Sequence, residues 1–340
     1  MKSGSRESGM SLIEVSVTLL LLMVSMALFY DMIQSSLRAS LFSEGHNDLA
    51  AIGQRVTNAI HTEVVQAKLV FQEDSTGTPY RDKFVAALPS GTAVLANSRM
   101  PIIDQNNVTF GVDPGPNSIT NRTGNSLIVV RQLSPINISW DHDANAGTAN
   151  INFLADRYQM EFFFLRSNTR RSFGGLGYYL EIMQANTQLF GDYFQLNDIT
   201  INKTQVAAGV RSAGITMAWD PGKTIATPAF YNIDVSGTMS GNANPTFTLS
   251  VKSLMPEFTG GRVSGKMDFS VAPNPTTAIF FKDPVPLYAI ASTGFPQGLE
   301  FQIIGGSGSR KVLSRLVVAS NYARNTYSQE ASVTSSARGF

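Results

Sequence analysis

The sequence predicts an α+β protein in which a long N-terminal helix packs on a large β-rich C-terminal head. Three observations predict this. From Met10 to Tyr30 the chain is apolar, with Glu14 as its only charge, and such a run is long enough to cross a bilayer. Apolar residues then recur at every fourth position, at Ile52, Val56, Ile60 and Val64, the spacing of one helical face. From Leu69 onward, short apolar or alternating runs are punctuated by Gly, Pro, Asn and Asp, the pattern of strands and turns.

Residues 1–9, MKSGSRESG, form a short polar leader carrying Lys2 and Arg6, a basic flank ahead of an apolar segment. Such a stretch can be a cleaved secretory signal, a signal anchor or a buried core helix. Ser25-Met26-Ala27 matches a small-x-small cleavage site only loosely, and Leu28, Phe29 and Tyr30 continue the apolar run. A helix is expected over 10–68, with 10–30 in the membrane or a filament core and 31–68 amphipathic. No proline precedes Pro79, so nothing forces a break. The 59 residues from Met10 to Lys68 would reach about 90 Å. Ser43-Glu44-Gly45 is the expected weak point, since glycine costs about 1 kcal/mol in a helix. Beyond it Leu49, Ala59 and Ala67 join the apolar face, and Gln54, Arg55, Asn58, His61 and Glu63 occupy much of the remainder.

The head, 69–340, offers candidate strands at Leu127 to Leu133, Tyr158 to Leu165, Gly177 to Gln184, Phe230 to Val235, Thr246 to Leu254, Leu299 to Ile304 and Val312 to Ala319. Ser236 to Asn244 and Gly260 to Gly265 are the best loop candidates. The head is large enough for two subdomains, with a boundary expected near 205–225.

Composition narrows the function. The chain has 340 residues, no cysteine and only 15% charged residues, which excludes a disulfide scaffold, a cysteine-ligated metal site and a highly charged disordered polymer. Its formal net charge of +1 provides no global field for nucleic acid or anionic lipid. Catalytic motifs are missing. Gly222-Lys223-Thr224 has the tail of a phosphate loop, but Met217 stands where its first glycine belongs. Gly306-Ser307-Gly308 lacks nucleophile-elbow spacing. The three histidines, His46, His61 and His142, are scattered. No enzyme is expected, and no cofactor.

Glu14 needs its own explanation, because a charge at depth in a bilayer costs a few kcal/mol on insertion scales (about 3). The string Gly9-Met10-Ser11-Leu12-Ile13-Glu14-Val15 resembles the type IV prepilin signature, with methionine where that family usually has phenylalanine. The resemblance implies that a prepilin peptidase cuts after Gly9 and methylates the new N-terminus at Met10. It also implies that Glu14 faces the N-terminal amine of a neighbouring subunit in a filament. Cleavage there leaves 24 bases and 24 acids. Ile52 to Ala67 looks like the stem of PilW-like minor pilins and of J-type pseudopilins of type II secretion, so the head would be pilin-like. The implied function is a minor pilin that initiates or caps a pilus at its tip and presents an adhesin. The alternatives are a J-type pseudopilin and a monomeric anchored surface-binding protein. Implied partners are other minor pilins, the major pilin, an inner-membrane assembly platform and a tip adhesin. The implied location is the bacterial inner membrane, single-pass, followed by a surface pilus or a periplasmic pseudopilus.

Three further clusters invite a binding reading. Asp141-His142-Asp143 is a compact group of oxygen and nitrogen ligands, and some pseudopilin heads bind calcium through loop carboxylates. Calcium takes six to eight oxygens, so Asp141 and Asp143 fit it only partly, and a polar hairpin turn is the plainer reading. Arg166, Arg170 and Arg171 with Phe173, Tyr178 and Tyr179 combine base and aromatic as single-strand nucleic-acid sites do, but a solvated loop capping an aromatic strand is the plainer reading, and no nucleic-acid partner is expected. From Gly305 onward there are five bases and one acid, Glu330, suited to an acidic partner subunit or to an edge strand that resists aggregation.

Overall fold

The computed structural model describes residues 11–96, 98–105, 122–140, 151–169, 178–200, 202–225, 227–255, 268–272, 298–306, 310–322 and 325–337. The chain divides into two compact units, Met1–Asp48 and Leu49–Phe340. One helix, α1 (Leu12–Val65), contributes to both. It passes Ser43-Glu44-Gly45 without a break, since one glycine's cost of about 1 kcal/mol is small against the turns on either side.

In the second unit α1 gives way to β1 (Ala67–Val70), so Ala67, expected on the helix, opens a strand. Among the described residues nine strands form one sheet. Its main path runs β1, β3 (Leu127–Trp140), β4 (Ile151–Asn168), β6 (Phe190–Asp192), β7 (Met217–Trp219), β8 (Phe230–Ile233), β9 (Met239–Asn242). Next along from β6, β5 (Tyr179–Asn186) takes the C-terminal half of β4 and carries β10 (Ser250–Ser253). The second sheet has five strands. There β13 (Lys311–Tyr322) is paired along its length by β14 (Asn325–Ser336), and its other side is divided between β12 (Leu299–Ile304) and β11 (Asp268–Val271). A short β2 (Ile103–Asp104) runs parallel to β12.

At its centre the first sheet is buried on both faces, which is why β3 begins as the unbroken apolar run Leu127-Ile128-Val129-Val130 rather than alternating. Leu127 and Val129 meet Leu49, Ile52, Val56, Ile60 and Val64 of α1 and the second sheet's Leu299, Phe301, Val312, Leu316 and Val318. The four-residue spacing of α1 thus puts one stripe into the core between two sheets. On the opposite face α2 (Gly77–Ala87) sets Tyr80 and Phe84 among Phe162, Phe190, Trp219, Phe230 and Phe247. There the Trp219 indole donates to the Tyr80 hydroxyl at 3.0 Å, and burial pushes the Tyr80 phenol up to about 12. A smaller cluster joins α3 (Tyr193–Asn197) and α4 (Lys203–Ser212) to Ile138 and Ala155 through Leu196, Val206 and Val210.

Gly53 lets α1 lie close to the second sheet. A Cβ there would stand 2.9 Å from the Ala331 Cβ, so a larger side chain would lift the helix from β14. One turn further, the Thr57 hydroxyl bonds back to the Gly53 carbonyl at 2.9 Å. Another turn on, His61 Nδ1 lies 2.8 Å from the Ser335 hydroxyl, a polar contact that fixes the helix along the strand.

Several elements differ from their expected bounds. β3 and β4 extend well past Leu133 and back before Tyr158, and their pairing shifts register between Leu133 and Ile136. Pro135 lies in that interval and lacks a donor for the ladder, so the irregularity accommodates it. Ser236 to Asn244, expected as loop, holds β9. Asp234 makes the hairpin by accepting from the Ser236 and Thr238 amides at 2.8 and 2.9 Å, with Gly237 at φ 81°. The stretch 205–225, expected as a subdomain boundary, holds the end of α4 and β7, which pairs with both β6 and β8 inside the unit Leu49–Phe340. Gly260 to Gly265 lies outside the described residues.

Candidate membrane and assembly segment

Among the described residues of the first unit, large apolar side chains from Leu12 to Leu37 stand exposed. Leu12 is 87% exposed and Phe29 67%, whereas Val56 and Ile60 on the same helix are fully buried. The part of α1 near the N-terminus is long and apolar enough to cross a membrane. Leu12 to Tyr30, at the helical rise, covers about 28 Å, close to the hydrocarbon thickness of a bilayer.

Two of its hydroxyls are satisfied within the helix, as an apolar surrounding requires. The Ser16 hydroxyl donates to the Leu12 carbonyl at 2.9 Å and the Thr18 hydroxyl to the Glu14 carbonyl at 2.7 Å. Where the apolar run ends, a polar ladder starts at helical spacing. Gln34 donates to the Tyr30 hydroxyl at 2.6 Å, and Arg38 donates to the Gln34 side-chain oxygen at 3.2 Å. An aromatic with a polar tip followed by a base is the composition of a membrane–water interface.

At the other end Glu14 has a local partner. Its carboxylate accepts from the Ser11 amide at 2.9 Å, while the Ser11 hydroxyl accepts from the Glu14 amide at 3.3 Å. This reciprocal pair is a capping box and satisfies donors that the first turn leaves open. The Ser-x-x-Glu spacing of residues 11–14 is its sequence signature. Gly9 and Met10 lie outside the described residues.

The remaining candidates are placed differently from expectation or lie outside the described residues. Asp141, His142 and Asp143 are outside, as are Arg170, Arg171, Phe173 and Ser307. Among the described residues no group of three His, Asp or Glu side chains could hold a metal ion. Arg166, expected in a connection between strands, belongs to β4 and is bonded to Glu181, which also accepts from Asn168 and Ser253 at 2.9 Å each. Its charge is spent inside the head. Tyr178 packs on the core and the Tyr179 hydroxyl accepts from Asn168 at 2.9 Å. Of the C-terminal bases, Arg310 and Arg315 turn inward, Lys311 is exposed, and Arg324 and Arg338 lie outside the described residues. Arg315, nearly buried, donates to Glu330 at 2.7 Å, and Arg310 donates to the Val70 carbonyl at 3.0 Å. Those two do not form a free basic surface for an acidic partner.

Lys223, the base of the partial phosphate-loop string, donates to the Tyr231 hydroxyl at 2.6 Å, and the Tyr231 ring stacks on Tyr193 at 4.0 Å. His61 is committed to Ser335, whose hydroxyl is fully buried.

Sequence reasoning missed a charged cluster in the head. Arg131 on β3 bonds Glu63 of α1 and stands 3.1 Å from Glu161 of β4, which is fully buried. The signal was present as a single acid inside the run Met160-Glu161-Phe162-Phe163-Phe164-Leu165. Comparison with family models, with characterised proteins and with solved structures returned no match.

Proposed function

We propose that the chain is a minor subunit of a type IV pilus, processed by a prepilin peptidase after Gly9 and methylated at Met10. In this reading the apolar part of α1 holds the subunit in the inner membrane as a single pass and then enters a filament core. The β-rich unit is the pilin-like head, which initiates or caps the pilus at its tip with other minor pilins and presents an adhesin. The observation that carries the reading is the pairing of an uncovered, membrane-length apolar helix with a carboxylate in its first turn, five residues after Gly9. A secretion pseudopilus uses the same parts, and co-purification with pilus or secretion components distinguishes the two.

Glu14 separates assembly from anchoring. Replacing it by leucine is expected to leave membrane insertion intact and to lower incorporation into the filament by about a hundredfold or more, since a buried charge without its partner costs about 3–5 kcal/mol. Ser11→Ala is the control: it removes the serine half of the capping box, worth about 1 kcal/mol, and keeps the carboxylate. Filament incorporation, measured by immunoblot of sheared fibres, should survive Ser11→Ala and fail in Glu14→Leu. If Glu14→Leu assembles at the wild-type level, capping is the carboxylate's whole role and the intersubunit pairing is wrong.

A further inference from the structure

We propose that Glu161 is a proton-operated latch for the last turns of α1: protonated, it leaves Arg131 to the helix, and ionised, it draws Arg131 toward the sheet. Arg131 stands between two carboxylates from different layers, Glu63 of the helix and Glu161 of the sheet. Its Nη1 bonds Glu63 and lies 3.3 Å from the Gln66 side-chain oxygen, both on or just after α1. Its Nε stands 3.1 Å from Glu161 Oε1 but off the hydrogen-bond direction, so neither atom makes a hydrogen bond there. Glu161 therefore holds the guanidinium less well than Glu63 does while being far more deeply buried.

The protonated form faces an open acceptor on the neighbouring strand. Directly across the ladder from Glu161 is Asn186, whose buried side-chain oxygen has no donor. The second Glu161 oxygen already accepts from Gln184 at 3.0 Å, so a proton on Oε1 supplies the donor the site lacks. The charged groups facing Glu161 are Glu63 from α1, Arg131 from β3 and Lys252 from β10. From β5 the neighbours are the uncharged Gln184 and Asn186, and β1 sets Ala67 opposite Arg131. Burial, reinforced by the charge of Glu63, pushes the Glu161 carboxyl up to about 7 against the pull of Arg131. The change of state thus falls near neutral pH.

Hydrogen exchange of the full chain in detergent micelles tests the latch. After correction for the intrinsic pH dependence of exchange, protection of peptides covering residues 56–66 should fall at least about tenfold between pH 5.5 and 8.5. Peptides from the β8–β9 hairpin should change less, and Glu161→Gln should flatten the response of 56–66. An equal fall in Glu161→Gln, or none in the wild type, would overturn the proposal. Should that variant not fold, a carbon-13 titration of the wild-type Glu161 carboxyl decides the matter: a midpoint in the ordinary glutamate range refutes the latch, and one near neutrality supports it.

Discussion

Removing residues 1–66 is expected to abolish folding of the head, whereas removing residues 1–37 should leave a soluble, β-rich monomer. The longer deletion strips Leu49, Ile52, Val56, Ile60 and Val64 out of the core they share with both sheets. Each fully buried aliphatic side chain contributes about 1.5–3 kcal/mol, so the five together amount to about 7–15 kcal/mol. That equals the whole stability of a typical domain, about 5–15 kcal/mol. The exposed sheet face would also be an association surface. The shorter deletion takes away exposed apolar side chains that lie outside the compact unit Leu49–Phe340. Gel filtration and circular dichroism of the two truncations provide the check. Equal solubility of both would mean that the helix is not part of the head's core.

Arg131→Met should cost about 3–5 kcal/mol at pH 8, because it leaves two carboxylates, one fully buried, without their shared cation. The cost should shrink by more than half at pH 5, where Glu161 carries a proton. The sign follows from the native carboxyl titrating near 7 against about 4.3 in an unfolded chain. Between those values the native state binds more protons than the unfolded state, so stability is highest at low pH, declines as pH rises from about 4.3 to 7, and is level above. The wild type loses about 4 kcal/mol over that window from this group alone. Urea midpoints measured at pH 5 and 8 for wild type and variant test both statements. A variant equally destabilised at the two pH values would show that Glu161 is not the group that titrates.

The parts of the fold legible in the sequence are those with long periodic patterns. The α1 stripe at Ile52, Val56, Ile60 and Val64 stood out because four residues repeat without interruption, and β12 because Leu299 to Ile304 is bounded by Gly298 and Gly305. Short strands such as β6 and β7 were not legible: three residues carry no period, and burial on both faces removes the alternation that marks a strand. Helix α2 was hidden for a related reason. Only Tyr80 and Phe84 mark its buried side at helical spacing, and Pro79 suggests a break although it sits in the first turn, where proline is tolerated. The ion pairs of Arg166 and Arg315 were not legible because sequence reveals charge without its partner. Glu181 and Glu330 lie 15 residues away from Arg166 and Arg315 in the chain and meet them only across strand pairs. Glu161 was the converse case, an acid in an aromatic strand whose cation, Arg131, comes from the neighbouring strand and whose rival, Glu63, comes from the helix.

The central claim is that α1 begins as a processed prepilin stem, and the N-terminus of the mature protein tests it most directly. Intact-mass and N-terminal peptide analysis of the chain purified from its native membrane should find a start at Met10 and one added methyl group on the amine. A chain that retains residues 1–9, or one that starts beyond Tyr30, would contradict it. The first would leave a simple anchor with a capped helix, and the second would mean that the apolar segment is a discarded signal.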